Sequence, residues 1–416
     1  MALDLDKAVG QIEQMVEALR GGEEEWGQHM ETALGLLHSP PMDVPSLNAK
    51  IGGSKLTWLV PDLEEPMNAR HPAPNLPEDY TVVSTDGSHI DADRHGPASC
   101  YLINIGSVLL RYGSDPGAVL GSEPRIYADE SDLVLRDLES NAEQRVTGVV
   151  LGVKRMVEEY RALLEAIQGN EARGPTVALL DGSLVPIGLL GGGVPDFVRR
   201  KMLDEGLLKV LSGFLEVAGE RPLALASYIS YPGSREVVNS LRVAICPHTP
   251  FPDCDAHCSR DRSRNVECSS CTEHPEGNRE CDQVSMITDR HLFQRLLSPG
   301  ERSGVFGSRS SIVRERYGEH RVYFFYLHVG EEVARVEVPE WVAQRPDLLD
   351  LTHAVLLDQC ERGHGYPVAI SEAHEQAVVT GSDREEFWRM VDIAMGGTGL
   401  TPVRSAKAAS TQTRWL

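Results

Sequence analysis

Apolar positions along this chain recur at two periods, and the switches between them lay out its elements. In residues 3–37, Ile12, Met15, Val16 and Leu19, then Leu34, Leu36 and Leu37, fall at helical spacing and predict one or two amphipathic helices separated at Gly21-Gly22. From Ser39 to Pro77 that periodicity is lost among eight prolines, so the segment reads as an irregular arm or linker. Short apolar runs follow: Val82-Val83, Ser99–Gly106 and Ser107–Tyr112 predict three strands, spaced closely enough for antiparallel hairpins. A long helical region is expected from about Leu133 to Ile167, with Val149, Val150, Val153, Met156, Val157, Tyr160, Leu164 and Ile167 on one side. It breaks at Gly169–Pro175, before the apolar run that starts at Thr176. Beyond it, Pro195–Ala218 reads as a helix, Pro222–Ser230 as a buried strand, and Arg321–Val329 and Val333–Val338 as further strands. Asp347–Cys360 reads as a helix, and Tyr366–His374 as a strand leading into the last core helix. The expected organisation is an arm at 1–78, a domain at 79–400 and a basic polar tail at 401–416.

Two of these runs close on the same tripeptide, Asp86-Gly87-Ser88 and Asp181-Gly182-Ser183. A buried run closed by Asp-Gly delivers a carboxylate at a strand end, and glycine lets a ligand approach the backbone. Hairpins, a helix and then a strand, with acidic ends, is the order of an RNase H-like fold: an α/β mixed sheet flanked by helices. If the two strands are neighbours, their carboxylates can share divalent metal. Metal ions held in this way polarise a phosphodiester, activate water and stabilise the leaving oxygen.

A third carboxylate normally completes such a site. Five strand residues leading back to Asp181 cover about 17 Å, so the preceding helix needs about 11 residues to return. That lands on Glu158 or Glu159. Glu159 lies nearer the Met156/Leu163 edge of the apolar stripe and is the choice; Glu158 is expected to face outward. Glu165 is nearer the loop, and Glu139 requires the long helix to bend near Gly148. His374, with Tyr366 eight residues earlier, can ligate metal or move a proton to a leaving group.

Composition narrows the partners. The net charge of −22 over 416 residues argues against nonspecific nucleic-acid binding by the whole surface, but not by a local basic track. Arg290, Arg295, Arg302, Arg309, Arg314, Arg316 and Arg321 form such a candidate stretch, since arginine suits forked recognition of phosphate. No apolar run is long enough to span a bilayer, and the first residues lack the layout of a secretion signal, so the cytoplasm is the expected location. Six of the eight cysteines cluster at 246–283: Cys246, Cys254, Cys258, Cys268, Cys271 and Cys281. In a reducing compartment such clustering points to a metal-binding insertion, with zinc as first choice and an iron–sulfur cluster as the alternative.

The chain resembles the NurA nuclease family. The resemblance rests on the two Asp-Gly-Ser motifs together with three longer stretches, Tyr228-Ile-Ser-Tyr-Pro-Gly-Ser-Arg-Glu-Val-Val-Asn-Ser-Leu-Arg, Thr288-Asp-Arg-His-Leu-Phe-Gln-Arg-Leu-Leu and Tyr366-Pro-Val-Ala-Ile-Ser-Glu-Ala-His. It covers most of residues 80–400. It implies an RNase H-like core that cuts DNA with manganese (magnesium the alternative), by 5′-to-3′ exonuclease and single-strand endonuclease action in end resection. It also implies a homodimer docked on a hexameric HerA-type translocase. By the same resemblance Asp86 and Asp181 are metal-binding carboxylates, with Tyr366 and His374 as late-chain members of the site. The cysteine-rich insertion departs from the family pattern. Two other readings stand beside the nuclease: a non-hydrolytic subunit that clamps DNA or couples a translocase to it, and a cysteine–metal DNA-binding or redox-sensing module on an α/β scaffold.

Overall fold

The computed structural model describes residues 5–92, 98–169, 174–190, 193–258 and 279–397; the predicted tail at 401–416, Cys268 and Cys271 lie outside them. The described chain forms two compact units. One takes Met1–Pro72, Ser230–Ser311 and Tyr323–Arg335; the other takes Ala73–Ile229, Ile312–Val322 and Val336–Leu416. The segment 79–400 therefore feeds both units, and the first break falls at residue 72.

In the second unit, strands Tyr80–Ile90, Tyr101–Tyr112 and Gly117–Tyr127 form an antiparallel meander. Thr176–Asp181 pairs in parallel with the free side of the first strand, and Leu223–Ile229 pairs in parallel with Thr176–Asp181. The spatial order is thus third, second, first, fourth, fifth, the mixed RNase H-like sheet that the element order led us to expect. One face is covered by helix Val149–Gln168, whose Val150, Val153, Val157, Leu163 and Ile167 pack with Val83, Ile103, Ala178 and Leu180. Alternate strand residues turn to the other face, where helix Val368–Ala377 lies across the first two strands.

Several expected elements change. Ser107–Tyr112 continues the preceding strand, and its hairpin partner is Gly117–Tyr127, in which Val119, Leu120 and Ile126 are exposed. An edge strand with no buried face carries no alternating pattern to read. Residues 134–145 form a small hairpin, Val134–Arg136 against Glu143–Arg145, so the long helix begins only at Val149. Pro195–Ala218 is helical, but Arg200–Leu208 at its middle is a π-helix. Tyr366–His374 is not a strand. Pro367 starts helix Val368–Ala377, and Ala369, Ile370, Ala373 and Ala377 bury one helical face. The short Val-Ala-Ile run mimics a strand because both periods fit three residues.

In the first unit, helices Leu5–Gly21 and Glu23–His38 divide at Gly22. The proline-rich arm is ordered. Asp43 accepts a hydrogen bond from Ser46 N–H at 2.9 Å and starts helix Val44–Gly53, with Pro45 in its first turn, where a missing N–H costs nothing. Asp62–Leu63 then pairs with Phe306–Gly307, and Arg70–His71 with Arg302–Ser303. Leu37, Leu47, Ile51, Leu241, Phe293 and Phe306 share this unit's core. No described helix is long and apolar enough to cross a membrane.

Candidate active site

Strand register brings the two aspartates together. Strand Tyr80–Ile90 runs parallel to Thr176–Asp181 with Ser84 opposite Leu179. Two residues further along each strand stand Asp86 and Asp181. Neighbouring strands lie about 4.8 Å apart, and equal offsets turn both side chains to the same face. The two copies of the tripeptide nevertheless differ in setting. Asp86 is not at a strand end: its ladder runs on to Ile90, with Gly106 directly across. Asp181 does end its strand; Gly182 takes φ +82°, a region that penalises any Cβ, and its N–H donates to Tyr228 O at 3.0 Å.

Each aspartate is held by a late-chain side chain. Gly106 leaves room for helix Val368–Ala377 to sit on the strands, since a Cβ there would lie 2.3 Å from Ala373 O. From that helix, His374 Nδ1 stands 2.7 Å from Asp86 Oδ2. The Tyr366 hydroxyl donates to Asp181 Oδ1 at 3.0 Å, and its ring meets Tyr228 edge-on at 5.5 Å. Burial, then the Asp181 charge, pushes the Tyr366 phenol well above its ordinary value, so it stays a donor.

Glu159 approaches from the opposite face. Thr85 Oγ1 donates to its carbonyl at 2.9 Å, and its carboxylate occupies the space where Gly87 has no side chain; a Cβ at Gly87 would meet Glu159 Oε1 at 2.6 Å. Arg155 Nε comes within 3.0 Å of that oxygen but out of line for a hydrogen bond, and both atoms are buried without one. Burial pushes the Glu159 carboxyl up to about 8; Arg155 opposes this, while Asp86 and Asp181 reinforce it. The alternative glutamates lie elsewhere. Glu158 is buried rather than outward-facing, but it pairs with Lys154 at 2.7 Å and Arg161 at 2.8 Å. Glu165 and Glu139 are exposed.

A cleft of ≈ 380 Å³ opens beside Glu159, Arg155, Asp181 and Ser183. Among the described residues, no three His, Cys, Asp or Glu side chains stand in finished metal-ligating geometry, and His374, Tyr366 and Arg155 instead meet the three carboxylates. The donor set nevertheless suits a hard divalent cation. It consists of carboxylate oxygens, one of them, Glu159 Oε1, buried with no hydrogen-bond partner. Two contributors were not read from sequence. Arg155 precedes Glu159 by one helical turn, a spacing that could have flagged it. Glu337 accepts from Ser183 Oγ at 2.8 Å and Leu184 N–H at 2.9 Å, fixing the loop after Asp181; an acid inside an apolar strand run was its only signal.

The arginine stretch does not form one open track. Arg302 is buried and donates to Ser303 O, Arg309 pairs with Asp62 at 2.8 Å, and Arg316 pairs with Asp204 at 2.8 Å and with Asp196. Arginines spread over strands, turns and short helices cannot share a face by spacing alone.

Paired carboxylates on adjacent parallel strands, with a buried glutamate behind them, define an RNase H-like domain with an acidic centre. The profile of the NurA domain matches residues 80–379, and the chain belongs to this family of nucleases. Among solved structures it is similar to LC9-RNase H1, a type 1 RNase H with the type 2 active-site motif, at 12% identity over 40% of this chain and 71% of that one, with a TM-score of 0.21. A search of curated proteins found no match.

Proposed function

We propose that this chain hydrolyses DNA phosphodiester bonds at the Asp86, Asp181 and Glu159 centre, with manganese, or magnesium, as the metal. The observation that carries the reading is the parallel register that sets Asp86 beside Asp181. These carboxylates would hold the cation, with His374 at the rim. Once bound, it supplies Lewis-acid polarisation of the phosphate and an acidified water. Arg155 keeps Glu159 over Gly87, and Tyr366 orients Asp181. With Nδ1 on Asp86, the exposed His374 ring presents Nε2 to pass a proton to the leaving oxygen.

The finer reading follows family resemblance: 5′-to-3′ exonuclease and single-strand endonuclease action in end resection, in the cytoplasm, as a homodimer on a HerA-type hexameric translocase. The dimer has support from helix Leu5–Gly21. Leu5, Val9, Ile12, Val16 and Leu19 are exposed at alternating four- and three-residue spacing. Valine at one seam position with Leu or Ile at the other favours pairing with a second copy.

The test uses labelled single-stranded DNA with manganese. Wild type cleaves it, while Asp86→Ala and Asp181→Ala each lose cleavage and keep their circular dichroism. Absence of wild-type cleavage in manganese and magnesium, or undiminished cleavage by either variant, rejects the reading. DNA binding without cleavage by the wild type would favour the clamping subunit instead.

A further inference from the structure

Away from the active site, the first unit gathers four cysteines from three short segments. Cys246 follows helix Glu236–Ile245. Cys254 and Cys258 span one helical turn, with Cys258 N–H donating to Cys254 O at 3.0 Å, which places both side chains on one side. Cys281 is buried in the 3₁₀ turn Glu280–Val284. Cys246, Cys258 and Cys281 line one cavity of ≈ 20 Å³. Cys254 lies one helical turn from Cys258 and within electrostatic reach of Cys246 and Cys281. None of the four is joined in a disulfide.

We propose that Cys246, Cys254, Cys258 and Cys281 bind one zinc ion in a closed, structural site. Four thiolates around a tetrahedral ion match zinc's preference and leave no position for water, so the site is not hydrolytic. A cavity of this size takes a single ion rather than a cluster of irons and sulfides. Binding exchanges the four thiol protons for one Zn²⁺, leaving a net charge of −2. Two cations stand ready to offset it. Arg279 hydrogen-bonds to Cys258, and Lys50 Nζ donates to Cys246 O at 2.8 Å. Among the described residues of 246–258, Phe251 is exposed, and a bound ion would add a tie that apolar burial there does not supply.

Full-length protein expressed in zinc-replete medium is analysed for metal. We expect one zinc per chain, falling to below about a tenth in Cys258→Ser and Cys281→Ser. Zinc is retained in Cys360→Ser and in the double variant Cys268→Ser/Cys271→Ser. If the cysteine variants fail to fold, cobalt exchanged into wild type decides the matter, since four thiolates give intense thiolate-to-cobalt charge-transfer bands. Metal-free wild type, iron with visible absorption, cobalt without charge-transfer bands, or zinc loss in the Cys268/Cys271 double variant overturns the assignment.

Discussion

Gly106→Ala probes how the His374 helix is seated on the sheet. Gly106 lies directly across from Asp86, and a Cβ there would sit 2.3 Å from Ala373 O, 2.5 Å from Ala377 N and 2.8 Å from Gln376 C. All three are backbone atoms, so no rotamer change relieves the clash. Since contacts below about 3.0 Å are repulsive, helix Val368–Ala377 must withdraw by roughly 0.7 Å or more. The 2.7 Å His374–Asp86 contact then stretches toward about 3.4 Å, past the usual range, and weakens. Overpacking of this kind costs about 1–3 kcal/mol. Misplacing a reacting group by about 1 Å can cost on the order of 100-fold in rate. The assay is single-turnover cleavage of a labelled single strand in manganese, alongside urea unfolding. We expect Gly106→Ala to fold, with a lower urea midpoint and a rate reduced by roughly 10- to 100-fold. If glycine acts through His374, the double variant with His374→Ala should be no slower than His374→Ala alone. A folded Gly106→Ala enzyme cutting at the wild-type rate would refute the argument.

Glu159→Gln tests the buried carboxylate through stability in chelator, without cleavage. Its raised pKa means the folded state holds the proton more tightly, so this contribution is complete below the ordinary carboxyl pKa and is lost as pH rises through about 8. Between pH 6 and 9, wild type should lose up to about 3 kcal/mol more than Glu159→Gln, and parallel profiles would count against the burial. Asp289 accepts from Val237 N–H at 3.1 Å, Val238 N–H at 2.8 Å and the Tyr326 hydroxyl at 2.7 Å, capping helix Glu236–Ile245 from another segment. Asp289→Ala strands these donors and should cost about 2–4 kcal/mol in urea unfolding; a wild-type midpoint would show that the cap is dispensable. Ile12→Asp with Val16→Asp places charge on the exposed seam of helix Leu5–Gly21 and should shift a dimer to monomer in light scattering, while an unchanged mass would remove the seam from the interface.

The site was legible where chemistry repeats and obscure where packing decides. Asp86 and Asp181 announced themselves by identical context, and helix-and-strand path lengths reached Glu159 because both rises are fixed. His374 was visible as a residue but sat on the wrong element, since Pro367 and the buried alanines after it mark a helix only when more than one turn is read. Glu158 looked solvent-bound because nothing in its local sequence shows that Lys154 and Arg161 enclose it. The pairing of Asp62–Leu63 and Arg70–His71 with strands more than two hundred residues away left no local trace, so the proline-rich segment read as an irregular arm or linker.

The unequal mounting of the two aspartates has a consequence for how this centre would fail. Asp86 sits inside the antiparallel ladder with Tyr101–Tyr112, which runs on to Ile90, so releasing it means opening that ladder on both sides of the residue. Asp181 is the last paired residue before a left-handed glycine and can come loose when only that end frays. Mild heat or low denaturant should therefore silence the protein through Asp181 while the bulk of the sheet stays intact, and inactivation should run ahead of unfolding. The same asymmetry gives the pair one rigid anchor and one yielding arm.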